Sequence, residues 1–116
     1  PAVIYIAKLG VPGLLLETGT TDRMTLFAKQ ILGTVQQDDM AKSGDLMSTL
    51  LTWFSCDMSS RETAQQMFVH PNTIGYRLRR IGELTGLRMT DPGDLMTVRL
   101  ALDVLQIQGR CVSPGA

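Results

Sequence analysis

The chain has 116 residues, 44 % of them hydrophobic, and its 11 basic and 11 acidic side chains cancel. That is room for one core of ordinary globular composition, and too apolar for a disordered segment. No apolar run approaches the roughly 18–20 residues that span a bilayer, and no basic stretch precedes an apolar one as export would need, so no membrane is expected and the cytoplasm is the expected location.

Two cysteines, Cys56 and Cys111, are too few for a disulfide framework and read as reduced thiols. His70 is the single histidine and no cysteine pair is close in sequence, so neither a metal nor a cofactor is expected.

The chain begins at Pro1 instead of Met, as a piece of something longer would. Ala2–Ala7 is β-branched and strand-like, and Gly10-Val-Pro-Gly13 breaks it. Residues 1–20 therefore read as a linker or the remnant of an upstream domain. Thr20, Thr21 and Asp22 offer capping chemistry for a first helix. Met24, Phe27, Ile31, Leu32 and Val35 recur on one face of it. Gln36–Gly44 is polar and reads as a loop. A second helix starts near Asp45 with Leu46, Met47, Leu50, Leu51 and Phe54 as an apolar stripe facing a core.

Ser59-Ser-Arg-Glu62 has the spacing of a capping box, in which Ser59 and Glu62 satisfy each other's exposed backbone N–H. A short helix, about Ser60 to Met67, should follow with Ala64 and Met67 inward, ending at Phe68-Val69. Pro71 suits the first helical position, which makes His70 the cap of the next helix. That helix runs through Ile74, Leu78, Ile81 and Leu84 to a stop at Gly86. Asp91-Pro92 opens a last helix with Leu95, Val98, Leu102 and Leu105 inward, closed by Gly109. Residues 110–116 read as a frayed tail.

Two short helices joined by a tight turn, the second rich in arginine, are the pattern of a helix-turn-helix. At 100° per residue, Leu78 and Ile81 lie within about 40° of Ile74 on the second helix, whereas Asn72, Tyr76, Arg79 and Arg80 lie more than about 100° away. Thr73 and Arg77 flank that outer face. Asn can bond an adenine edge in bidentate fashion, and Arg a guanine edge or a phosphate. Thr73, the N–H groups at the helix start and the Tyr76 hydroxyl can position phosphates. Arg77, nearest the core edge, has a second reading as a brace to Glu62 or Asp57, and Tyr76 as a shield for the turn. Gly75 in the helix interior costs about 1 kcal/mol relative to alanine.

From Asp57 to Thr90 five arginines face three acids, an excess of two positive charges. That is modest for a DNA binder and suggests that two copies act together.

Thr63-Ala64, Val69-His-Pro-Asn-Thr-Ile74, Tyr76-Arg-Leu-Arg-Arg-Ile81, Glu83-Leu-Thr-Gly86 and Asp91-Pro92 closely resemble the C-terminal helix-turn-helix of PucR-type regulators. That domain is shared by purine-catabolism and sugar-diacid regulators. Leu46-Met-Ser-Thr-Leu50 and Leu100-Ala-Leu102 match its flanks, so the likeness covers about Phe27 to Ile107. Lys8-Leu-Gly-Val11 with Leu14-Leu-Leu16 is similar to the linker that family places upstream. Phe54-Ser-Cys-Asp57 stands where a glycine- or asparagine-containing turn is usual, Gly82 where an acidic or polar residue is common, and Gly93 lies in the first turn of the last helix.

The resemblance implies an all-α helical bundle over residues 21–109, behind a short irregular or strand-like segment. It implies a bacterial transcription regulator that binds double-stranded DNA as a homodimer or higher homo-oligomer. A small-molecule effector would be held by upstream domains. Asn72, Thr73, Tyr76 and Arg77 sit at the motif's signature positions.

Two other readings compete. A helical oligomerisation or protein-interaction module would expose Met or Leu on the outer face, and the seven methionines would suit one. An enzyme using His70 would need a nucleophile and an acid beside it. Cys56, Ser59 and Ser60 have no such spacing, so no catalytic residue is expected.

Overall fold

The computed structural model describes the backbone of residues 21–112 and the side chains of residues 22–107; the strand-like reading of Ala2–Ala7 and the linker reading of residues 1–20 fall outside it. The described residues form five helices and no strand: α1 (Thr21–Lys42), α2 (Leu46–Ser55), α3 (Ser60–Met67), α4 (Pro71–Thr85) and α5 (Pro92–Val112). The fold is all-α. The described residues divide into two compact units, one of residues 33–95 and one of residues 21–32 with residues 96–112.

In the unit of residues 33–95, α2, α3 and α4 pack against one another pairwise. Their shared core holds Leu50, Ala64, Ile74 and Ile81, with Trp53 and Phe54 beside them, the two rings tilted at 5.2 Å. Leu78 and Met67, expected inward, are half-buried. On α2 the buried positions are Leu46, Thr49, Leu50, Trp53 and Phe54, while Met47 and Leu51 of the expected stripe are only half-buried. The buried set is one regular helix face that takes in Trp53, and Met47 and Leu51 fall at its edges. In the other unit the buried side chains are Ala28 and Leu32 of α1 and Val98, Ala101, Leu102 and Val104 of α5. Leu95 and Leu105 are half-buried.

The structure corrects the expectation of a loop over Gln36–Gly44. Helix α1 runs on to Lys42, and only Ser43, in the left-handed region at φ 49°, and Gly44 break it. The polar side chains there are helical because they bind neighbouring elements. The Asp39 carboxylate accepts the first N–H groups of α2, from Leu46 at 2.8 Å and Met47 at 2.9 Å. Asp45, at the cap position itself, makes no side-chain capping bond. Gly44 lets this happen, since a Cβ on it would stand 3.0 Å from Asp39 Oδ1.

The turn from α2 to α3 places Asp57 and Met58 at φ 53° and 64°. Consecutive left-handed residues with side chains carry strain of roughly 1–2 kcal/mol each, which is where a glycine or asparagine would be at ease. The turn is held by Met58 N–H to the Trp53 carbonyl at 2.8 Å and by burial of Cys56. At the start of α3, Ser59 Oγ accepts the Glu62 N–H at 3.1 Å, and the Ser59 N–H donates to the Cys56 carbonyl.

Helix α4 opens on Pro71 with His70 Nδ1 accepting the Asn72 N–H at 3.0 Å, and ends at Gly86, left-handed at φ 74°. The Leu87 carbonyl then folds back over Gly82, where a Cβ would meet it at 3.1 Å. Asp91 Oδ2 accepts the Asp94 N–H and Asp94 Oδ2 accepts the Arg88 N–H, which joins this link to the first turn of α5. That helix does not stop at Gly109 but continues to Val112, because glycine permits a helix end without imposing one.

Candidate nucleic-acid interface

The α3–turn–α4 unit presents one face of α4 outward, and its residues divide by what they touch. Asn72 and Arg79 are exposed and Tyr76 is 62 % exposed, whereas Thr73 is half-buried with its N–H bonded to the His70 carbonyl. No Met or Leu of α4 is exposed. The turn before it carries Phe68 in the left-handed conformation at φ 58°, its ring 94 % exposed.

The remaining arginines of α4 are engaged inside the fold. Arg77 is 18 % exposed; its Nη1 donates to Thr49 Oγ1 at 3.1 Å and its Nη2 stands 3.7 Å from Asp45 Oδ2. The bracing partners are thus Thr49 on α2 and Asp45 just before it, not Glu62 or Asp57, because α4 lays that flank along α2. Thr49 is buried and completes the link by donating to the Asp45 carbonyl at 2.6 Å. Arg80, 31 % exposed, bonds Asp38 of α1 at 3.0 Å and Glu83 at 3.5 Å. Lys42 joins Asp38 at 3.4 Å. The hydrogen bond from Arg80, strengthened by Lys42, holds the Asp38 carboxyl below its ordinary range, and the same bond raises Arg80. Thr34 Oγ1 donates to the Leu84 carbonyl at 2.9 Å, a further tie between α1 and the end of α4.

Arg79 is the arginine of α4 with no acidic partner among the described residues. Two clefts flank the helix. One, of about 320 Å³, lies beside Thr73, Tyr76, Arg77 and Arg80 and is walled by Asp38, Lys42 and Asp45. The other, of about 370 Å³, lies beside Gly75, Leu78, Arg79 and Gly82. Trp53 lines the second, and its indole N–H has no acceptor among the described residues.

Sequence reasoning missed Asp38 and Asp39. Their one local signal is the four-residue spacing of Asp38 and Lys42, which suits a helix face. It also missed Trp53, although Leu46, Leu50, Trp53 and Phe54 fall at the i, i+4, i+7 and i+8 spacing of one helix face, a signal present in the sequence.

Residues 46–104 match the model of the PucR C-terminal helix-turn-helix domain. The chain belongs to that family. The PucR-type match takes in α2, α3, α4 and the first part of α5, the elements that build and support the outward face. The chain is 36 % identical over 101 residues to the purine catabolism regulatory protein of Bacillus subtilis, covering 85 % of this chain and 18 % of that protein. To the carbohydrate diacid regulator of Escherichia coli it is 38 % identical over 65 residues, 56 % of this chain and 17 % of the relative. To YsfB of Bacillus subtilis it is 37 % identical over 76 residues, 66 % and 19 % of the two chains. It thus spans about a fifth of the length of these relatives. No solved structure matches it.

Proposed function

We propose that this PucR-type domain binds double-stranded DNA as the C-terminal module of a transcription regulator, with α4 entering the major groove. The observation that carries the reading is the division of α4's polar residues. Arg77 is tied to Thr49 of α2 and to Asp45 just before it, and Arg80 to Asp38 of α1, while Arg79 stands outward with no acidic partner among the described residues and Asn72 and Tyr76 stand outward beside it. Asn72 and Arg79 are the base-reading pair, since amide and guanidinium can each bond a base edge in bidentate fashion. Tyr76 and Thr73 hold phosphates through their hydroxyls, since the first N–H groups of α4 are already bonded to His70. Arg77 and Arg80 fix the angle at which the helix is presented.

The family membership and the likeness to a purine catabolism regulatory protein and a carbohydrate diacid regulator support this reading. An interaction module would place apolar side chains where Asn72 and Arg79 stand. The modest excess of two positive charges from Asp57 to Thr90 favours binding as a homodimer or higher homo-oligomer, on half-sites spaced about one helical turn, roughly 34 Å. An effector would act through upstream domains of the kind that a fivefold longer relative has room for. The reading places the protein in the cytoplasm with no catalytic role; no described helix is long and apolar enough to cross a membrane.

The test is fluorescence anisotropy on duplexes that tile the DNA upstream of its own gene, at low and moderate salt, each with one or two half-sites. Asn72→Ala and Arg79→Ala should each weaken binding by about 1–3 kcal/mol while circular dichroism stays unchanged. Two half-sites should bind more tightly than one. A folded chain that binds none of the duplexes at low salt would sink the assignment.

A further inference from the structure

Helix α4 contains two interior glycines, Gly75 and Gly82, seven residues and hence about two turns apart on one side of the helix. The fold accounts for one of them. A Cβ on Gly82 would stand 3.1 Å from the Leu87 carbonyl, so any larger residue would have to push the link to α5 back by a few tenths of an ångström. Gly75 has no such reason: a Cβ there would meet nothing nearer than Arg79 Nη1, at 4.0 Å. Its backbone is ordinary helix, outside the left-handed residues of the chain. The helix thus bears the cost of a glycine at a place where the protein's own atoms leave the space open.

That space is part of the cleft of about 370 Å³. Its walls are amphipathic: Leu78 and the Trp53 ring are apolar, while Arg79 and Ser60 bring a cation and a hydroxyl. Arg79 is exposed and has no acidic partner among the described residues, so the cleft carries an unneutralised positive charge. It also opens beside the outward face, because Arg79 belongs to both.

We infer that this cleft seats one sugar-phosphate unit of a DNA strand, with the missing Cβ of Gly75 marking the closest approach of α4 to the strand. The deoxyribose ring lies against Leu78 and the backbone at Gly75. The phosphate accepts a hydrogen bond from the Ser60 hydroxyl and lies in the field of the Arg79 charge, whose guanidinium stays on the adjoining base edge. The inference rests on the DNA-binding reading and adds to it a strand-contact position that does not read sequence. An edge-reading role for the same site would make its effect depend on base sequence, whereas a sugar-phosphate contact is blind to sequence.

The experiment fills the cleft with a side chain the fold should welcome. Gly75→Ala and Gly75→Leu are made in the full chain, and Gly75→Ala should raise the melting temperature by about 3–6 °C, because alanine favours a helix interior and its Cβ would meet nothing nearer than 4.0 Å. Binding is then measured by anisotropy on the best upstream duplex and on a scrambled duplex of equal length. The expected result is a loss of affinity of about tenfold or more for Gly75→Leu, smaller for Gly75→Ala, and equal on the two duplexes. Undiminished binding by Gly75→Leu would overturn the inference while leaving the DNA reading standing, as would a loss confined to the upstream duplex. A drop in melting temperature on Gly75→Ala would overturn it too, by showing that the glycine serves the fold. Absence of binding by the unsubstituted chain at low salt would end both readings.

Discussion

Arg77 and Arg79 sit two residues apart on α4 and meet different surroundings, because two positions turn the helix by about 200°. Arg77 is directed along α2, where it bonds buried Thr49 and faces Asp45. Arg79 is directed outward. Their replacements should separate cleanly. Arg77→Ala is expected to cost about 1–2 kcal/mol of stability, from the lost bond to a buried hydroxyl and the lost packing of its stem. Urea denaturation measures that cost, and the salt dependence of DNA binding should keep its slope, since no phosphate contact is removed. A slope reduced by about one unit would instead make Arg77 a phosphate ligand. Identity alone did not separate these residues. Helical periodicity put Arg77 near the core edge, but which acid it reaches depends on where α2 lies, and Asp45 rather than Glu62 or Asp57 proved to be there.

At the scale of elements, the junction of α1 and α2 shows how a polar stretch becomes helical. Gln36–Gly44 lacks the apolar repeat that marks a helix, so the local pattern favoured a loop. Its structure is decided by groups outside it: Arg80 draws Asp38 and the open N-terminus of α2 draws Asp39. An anion at a helix start satisfies orphan N–H groups and complements the dipole. Asp39→Ala should therefore destabilise the protein by about 1–2 kcal/mol in thermal or urea unfolding, the usual cost of losing a cap. Asp45→Ala, one residue before α2, should cost less, because its side chain is exposed and makes no capping bond. The reverse order of cost would refute the capping role of Asp39. By contrast, the starts of α3 and α4 were legible. Ser59 and His70 cap through bonds to residues three or fewer positions ahead, which sequence spacing displays directly.

For the whole molecule, pH dependence follows from two carboxyls of opposite sign. Asp38 has its folded pKa lowered, first by the Arg80 hydrogen bond. Its stabilising contribution is thus complete above the unfolded carboxylate range, about 3.9, and is lost as pH falls through the lower folded value. Asp103 is raised by burial, which Arg99 only partly offsets. Its contribution is present at low pH and is lost as pH rises through the raised value. The stability gap between the wild type and Asp38→Asn should accordingly be open at neutral pH and close on acidification below about pH 4. Urea midpoints across that range would measure it. A gap of constant size would mean that the Asp38–Arg80 pair does not hold α1 to α4 by charge.

The sequence by itself determined the helical class, the turn positions at Phe68 and Gly86, the buried pair Ile74 and Ile81, and the resemblance that family membership bears out. These follow from interactions within a few residues of one another, which periodicity and capping patterns record. Tertiary structure alone decided that α1 extends to Lys42, and that Arg77 and Arg80 are engaged by the α2 region and α1 while Arg79 has no acidic partner among the described residues. Those outcomes depend on pairs such as Asp38 with Arg80 and Arg77 with Thr49, far apart in the chain. No local pattern encodes a partner that only the packing of helices brings within bonding distance.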